Sequence, residues 1–252
     1  MSRIIQFAFL VSLFTLNSCA VKNQISTYWQ NERNFNSEIY STTEANYYNA
    51  EDQISIKVFN SDKFIDIILE TNSTNTLRKI YNLGLSVWID PEAKLQNNFA
   101  INFPMPAEFP FKEEKFENYL SRFSLTELNE EFLDRFQLFE VVNAKKNESF
   151  SISTLEEDDT YQVKLSSKNE VLFSYHLRIA MSEFYSKSLS DNEIIGIGVA
   201  SINEANEEYY SALSSKEYIN KRMERLKAGT NQNPYELAEW WVKFKLSTES
   251  EQ

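Results

Sequence analysis

Apolar residues alternate with polar ones in short stretches spread along this chain, and a period of two restricts those stretches to β-strands. Ile54, Ile56 and Val58 are spaced by Ser55 and Lys57, and Ile65, Ile67 and Leu69 alternate with Asp66 and Glu70. The turn residues Asn60-Ser61-Asp62-Lys63 lie between them, so the pair predicts a hairpin. Thr71–Thr76 reads as a polar loop. Leu83–Asp90 is apolar on both faces apart from Ser86, the pattern of a central strand, and Asp90-Pro91-Glu92 ends it in a turn. On this reading Trp88 belongs to the core. Phe99–Phe103 forms another strand, stopped by Pro104 and Pro106. Strand patterns return at Leu138–Asn143, Phe150–Leu155, Thr160–Leu165, Val171–Ala180 and Ile194–Ala200. Tyr235–Leu246 closes the series, with Ala238, Trp240, Val242, Phe244 and Leu246 facing inward.

The period changes twice. Leu125, Leu128, Phe132 and Phe136 recur at three and four residues, and Ser124 with Glu127 reads as a capping box. A second helical stretch has its acids (Glu204, Glu207, Glu208) early and its bases (Lys221, Arg222, Arg225, Lys227) late, which complements the helix dipole. The expected fold is therefore mainly β: an antiparallel β-sandwich of about ten strands, with helical insertions near 112–137 and 203–228.

Composition narrows the function classes. The net charge is −12, with 37 acidic residues against 25 basic ones, which opposes nonspecific nucleic-acid binding. Nineteen Phe and 13 Tyr favour strands, and only four Gly leave little material for phosphate-cradling loops. Gly196-Ile197-Gly198 lies inside an apolar run and reads as strand.

The N-terminus carries a location signal. Arg3 precedes an apolar stretch from Ile4 to Leu16, and Leu16-Asn17-Ser18-Cys19 follows. A signal-peptide core needs about 7–15 apolar residues and a spanning helix roughly 20. The pattern resembles a bacterial lipoprotein signal, with Asn17 as a departure. It implies removal of residues 1–18, acylation of Cys19 and a membrane anchor. Residues 19–49 then form a tether and N-terminal extension, with Trp29, Phe35, Tyr40, Tyr47 and Tyr48 packing part of it on a domain spanning 50–248. No Asp and no acidic run follows Cys19, so the expected location is the outer membrane, facing the periplasm. Cys19 is the only cysteine, so its acylation excludes disulfides, thiolate metal sites and a cysteine nucleophile.

Three stretches carry a wider resemblance: Ile54–Phe103 with Gly84-Leu-Ser-Val-Trp-Ile-Asp90 inside it; Phe173-Ser-Tyr-His-Leu-Arg-Ile179 followed by Ile195-Gly-Ile-Gly-Val199; and Glu239-Trp-Trp-Val-Lys-Phe-Lys-Leu246. Together they resemble uncharacterised envelope lipoproteins whose domain is similar to the family 9 carbohydrate-binding module and the DOMON-type sandwich. The chain departs from that pattern at His176 and Ala180. The resemblance implies a sandwich fold. Its sugar-binding members use paired aromatic residues and loop calcium, and none of those residues maps onto this chain.

The residues offer few candidates for chemistry. His176, the only histidine, shares the polar face of its strand with Ser174 and Arg178 and reads as solvated, with no orienting carboxylate in that strand. One His without free Cys makes no zinc site. Glu156-Glu157-Asp158-Asp159 could offer oxygens to calcium, but its spacing fits no EF-hand and reads as an exposed turn. Among 37 acids no carboxylate pair stands out as a glycosidase pair. Trp241 shares the outward face with Glu239, Lys243 and Lys245. It can stack on a sugar ring or a partner surface, unless a helical insertion covers it. The expected function is a noncatalytic ligand-binding, carbohydrate-binding module with no required cofactor. The alternative is a structural or assembly lipoprotein that holds another envelope protein through an apolar patch on a helical insertion. With no nucleophile motif, metal cluster or phosphate loop, an enzyme is the least supported class.

Overall fold

Two β-sheets pack face to face in the computed structural model, which describes residues 25–31, 35, 37–106, 137–155, 158–168, 172–185, 193–202 and 236–249. In chain order the strands are β1 (Ile25–Ser26), β2 (Tyr28–Trp29), β3 (Tyr47–Asn49), β4 (Ile54–Asn60), β5 (Phe64–Thr71), β6 (Ser86–Asp90) and β7 (Phe99–Asn102). They continue as β8 (Leu138–Asn143), β9 (Glu148–Ser153), β10 (Tyr161–Lys168), β11 (Leu172–Ala180), β12 (Ile194–Ala200) and β13 (Trp240–Lys245). Two helices, α1 (Ile39–Thr42) and α2 (Thr74–Leu83), lie among the first six strands. One sheet has the order β1-β13-β12-β6-β7-β8-β9 and the other β10-β11-β5-β4-β2, with β3 also paired to β4. The mainly-β sandwich expected from the alternation is the fold of the chain. The helical insertions expected near 112–137 and 203–228 fall outside the described residues, as does the segment carrying Cys19.

The alternation explains the core. Ile56, Val58, Ile65, Ile67, Leu177 and Ile179 bury one face of the six-stranded sheet against Val87, Ile89, Ile101, Ile195, Ile197 and Phe244 of the seven-stranded sheet. The β4–β5 turn closes through Ser61, whose hydroxyl accepts from the amides of Lys63 (3.2 Å) and Phe64 (3.0 Å).

The stretch expected as a loop followed by a long strand is instead helix α2 followed by a shorter strand. Ser73 caps the helix, its hydroxyl accepting from the Thr76 amide at 3.3 Å. Leu77, Ile80 and Tyr81 then fall on one helical face and are buried. Gly84 ends the helix at φ 76°, with its amide on the Ile80 carbonyl at 2.8 Å. A Cβ there would lie 2.5 Å from Ile202 Cδ1, so the position needs glycine for space as well as for conformation. The apolar run that looked like one central strand is thus divided, with Leu83 in α2 and β6 starting at Ser86.

The N-terminal segment is built into both sheets from Ile25 onward. β1 runs parallel to β13, and after Thr27 the chain crosses to the other sheet, where β2 runs parallel to β4. Asn60 fastens the crossing: its amide nitrogen donates to the Ser247 carbonyl at 2.9 Å, and Thr27 and Ser247 meet its side-chain oxygen. Tyr47 packs on Trp240 with ring centroids 5.8 Å apart, whereas Tyr48 is exposed.

Candidate functional site

Residues pointing away from the core define what the sheets can present to a ligand. On the seven-stranded sheet, β12 pairs Gly198 with Trp241 of β13 on one side and with Trp88 of β6 on the other. Val87 and Ile89 point into the core, so Trp88 points out. The two tryptophans stand two strands apart, about 10 Å between backbones. Gly198 makes room for Trp241. A Cβ at this position would lie 2.7 Å from Trp241 Cδ2 and Cε2, so the indole lies flat over the glycine. Trp241 Nε1 donates to Glu239 Oε1 at 3.3 Å. Both rings are half-buried. Ala100 lies beyond Trp88 on β7, so large and small residues alternate across four strands.

The rows on either side differ. Toward one end of the strands, the loop after β6 folds over Gly196, with Leu95 Cδ2 3.1 Å from where a Cβ would be. Asp90 holds this loop, its carboxylate accepting from the Glu92 and Gln96 amides at 3.1 Å each. Lys145 and Lys94 bond the Glu92 carboxylate and hold its pKa down to about 2. Toward the other end, Ser86, Asn102 and Glu140 form a polar row across β6, β7 and β8. Asn102 Nδ2 donates to Glu140 Oε2 at 2.7 Å, and the Ser149 hydroxyl donates to the other carboxylate oxygen.

Trp241 thus holds the outward position expected of it. Trp88 does not belong to the core; it is the second ring of the outer surface. The misplacement follows from the apolar run before it, which hid the helix end at Gly84. Once β6 is bounded as Ser-Val-Trp-Ile-Asp, alternation places Trp88 outside with Ser86 and Asp90.

His176 is not solvated. It is 9% exposed, and its Nε2 lies 2.7 Å from Asp66 Oδ1 on the neighbouring strand β5. The same carboxylate accepts from Arg178 Nε (2.9 Å), from a terminal guanidinium nitrogen (3.0 Å) and from Gln30 Nε2. Tyr40 closes the group, accepting from Arg178 at 2.6 Å and donating to Gln30 Oε1 at 2.8 Å. Phe35 lies against the imidazole, the two rings tilted by 31° with centroids 4.1 Å apart. Burial pushes the His176 imidazole below its ordinary value, against the pull of Asp66, and lifts the Tyr40 phenol to about 12. The orienting carboxylate that β11 lacks comes from β5 across the sheet. Gln30 and Tyr40 seal the group from water, which makes it a fastening for the N-terminal segment.

The acidic turn binds its own backbone where it is described. Asp158 Oδ1 accepts from the Thr160 amide at 2.7 Å and the Tyr161 amide at 2.8 Å, while Glu156 and Glu157 lie outside the described residues. Among the described residues no three His, Cys, Asp or Glu side chains gather to hold a metal ion, and no helix is long and apolar enough to cross a membrane.

No family model matches the sequence, and no curated protein matches it. Among solved structures, the chain is similar to a family 9 carbohydrate-binding module from Caldicellulosiruptor kristjanssonii in complex with glucose. The identity is 15% and the TM-score 0.37, over 90% of this chain and 96% of that one. A module of the same family and organism, in complex with cellotriose, is similar at 14% identity and a TM-score of 0.38, over 89% and 94% of the two chains.

Proposed function

We propose that this protein is a noncatalytic glycan-binding module, held at the outer membrane by an acylated Cys19. The observation that carries the binding reading is the Trp241–Gly198–Trp88 row. Two indoles on a rigid sheet, spaced by a glycine, offer apolar faces to the C–H face of a sugar ring at little cost in side-chain ordering. Strand positions hold such a surface more firmly than loops do. The neighbouring Glu239 and Lys243 are exposed and can take up ring hydroxyls at the rim.

Calorimetric titration with neutral oligosaccharides tests the reading. Trp241→Ala should weaken binding by about 2 kcal/mol, roughly 30-fold, as truncation of a central aromatic contact does. Gly198→Ala should weaken it too, because the new methyl displaces the indole while leaving Trp241 in the sequence. Equal affinity in wild type and both variants would remove the platform as the binding surface. The anchor is tested separately: Cys19→Ser should move the protein from the membrane fraction to the soluble envelope fraction, and retention in the membrane fraction would exclude the lipid anchor.

A further inference from the structure

Among the described strands, the two sides of the sandwich end differently. On one side the edges are β1, β2 and β3, of two or three residues each, and Asn60 fastens the crossing between the sheets. On the other side both edges are long: β10 has eight residues and β9 has six. An open edge offers unpaired N–H and C=O groups to another chain, and charged residues, lysine above all, discourage such pairing. β10 carries the exposed Lys164 near its centre. β9 reads Glu148-Ser-Phe-Ser-Ile-Ser153, with no lysine or proline, and its register with β8 runs without a bulge. The phase of that ladder shows which groups are open. The Thr154 amide donates to the Gln137 carbonyl at 2.7 Å, so Ile152, Phe150 and Glu148 bond toward β8 in alternation. The backbone groups of Ser149, Ser151 and Ser153 therefore point to the free edge. Phe150 adds apolar surface there. It pairs with core-facing Val141 and its ring meets Tyr161 at 6.2 Å between centroids, yet it is 46% exposed. β9 thus reaches past the cover of the opposite sheet.

We propose that β9 is a self-association edge: two copies of this chain pair their β9 strands antiparallel across a two-fold axis at Ser151, joining their seven-stranded sheets. Hydrogen bonding sets the register. Ser151 meets its counterpart and Ser149 meets Ser153 of the second copy, so each of these serines donates one backbone bond and accepts one. An axis at Phe150 would leave Ser153 without a serine opposite. With the axis at Ser151, Phe150 stands opposite Ile152 of the second copy on the inward face, in the closely spaced kind of pair. Glu148 stands opposite Thr154, so no like charges meet. Charge favours a second copy as the occupant. Lys145 and the exposed Lys146 precede β9, and Asp158 and Asp159 follow it. Antiparallel pairing sets the basic start of each strand beside the acidic end of the other. The contact is isologous and uses up both edges, so it closes at two copies.

The test uses the full chain carrying Cys19→Ser, so that neither a lipid anchor nor a second thiol contributes. Each copy has a net charge of −12. Physiological salt, with a Debye length of about 8 Å, screens that repulsion more than it screens charges across the strand pair. One strand pair is a small contact of the transient class, so sedimentation over about a hundredfold range of concentration should show monomer passing to dimer. Ser151→Lys sets two ammonium groups face to face and should weaken the dimer by about tenfold or more. It should melt with the parent when dilute, because Ser151 is exposed and its backbone groups do not serve β8. Under mild oxidation Ser151→Cys should give a disulfide-linked dimer, its two Cα atoms being about 5.5 Å apart across the axis. Ser149→Cys should not, since its counterpart lies four residues along the strand, about 13 Å away. A chain that stays monomeric over the whole range, or a dimer that Ser151→Lys leaves intact, overturns the proposal. So does Ser149→Cys cross-linking as readily as Ser151→Cys. If Ser151→Lys melts below the parent, the two cysteine variants decide by the same criterion.

Discussion

Asp66→Ala will destabilise the protein by about 3–5 kcal/mol, the range seen when one partner of a buried ion pair is removed. Asp66 is fully buried and is the only carboxylate bonded to both Arg178 and His176 among the described residues. Its loss leaves a guanidinium that is 6% exposed beside an imidazole, and it strips an acceptor from Gln30 and Tyr40. The cost has a direction. α1 lies over this face and β2 pairs beside it with β4, where Tyr40 and the half-buried Tyr28 and Ile39 pack on Phe59 and Ile68. Hydrogen exchange should therefore show residues 28–31 and 37–40 opening before the two sheets separate. Urea unfolding measures the total, and a loss under about 1 kcal/mol would show that Arg178 finds other partners. Asp66→Asn should fall between the two, because it keeps an acceptor oxygen without the charge.

The second large effect is expected at Asp52, which sits between β3 and β4. Its Oδ1 lies 2.7 Å from Lys79 Nζ on α2, and its Oδ2 accepts from the Ala238 amide at 2.9 Å, just before β13. Its backbone carbonyl accepts the Thr76 hydroxyl. One aspartate thus ties a turn, a helix and the approach to the last strand at an edge of the sandwich. Asp52→Ala should cost about 3–5 kcal/mol by removing the carboxylate partner of a buried charge, here the 8%-exposed Lys79. For a domain of this size that amounts to a fall of about 10 °C or more in Tm. Asp52→Ala combined with Lys79→Met should recover part of the loss, since no ammonium is then left unpaired; the Ala238 amide stays without its acceptor. A double variant as unstable as Asp52→Ala alone would assign the whole cost to that backbone contact.

Local pattern and long-range contact divide unevenly in this protein. The inward faces of β4, β5, β11, β12 and β13 were legible from alternation alone, because burying one side of a strand imposes a period of two on its own residues. Trp241 was legible for the same reason. Trp88 was hidden only by a misplaced boundary: Gly84 marks a helix end, and the capping serine at Ser73 offered the matching start signal. The helix itself was missed because Thr74–Leu83 opens on three short polar residues and its first buried apolar residue is Leu77, a weak signal beside the strong strands on either side.

Other features were not encoded in any single stretch. The Asp66–His176 pair joins residues 110 positions apart, and Asp52 meets Ala238 across 186. Each depends on which strands become neighbours and in what register, and a shift of one residue would send Asp66 to the opposite face. The same holds for Ser86 beside Asn102 and for Gly198 between two tryptophans. By itself, the sequence determined that this chain is a two-faced, aromatic-rich β protein, since alternation and turn chemistry are local properties. Only the tertiary structure decided which outward residues meet, because strand pairing brings together side chains that the chain keeps far apart. That pairing turned a histidine expected in water into part of a buried fastening, and a tryptophan assigned to the core into half of a surface.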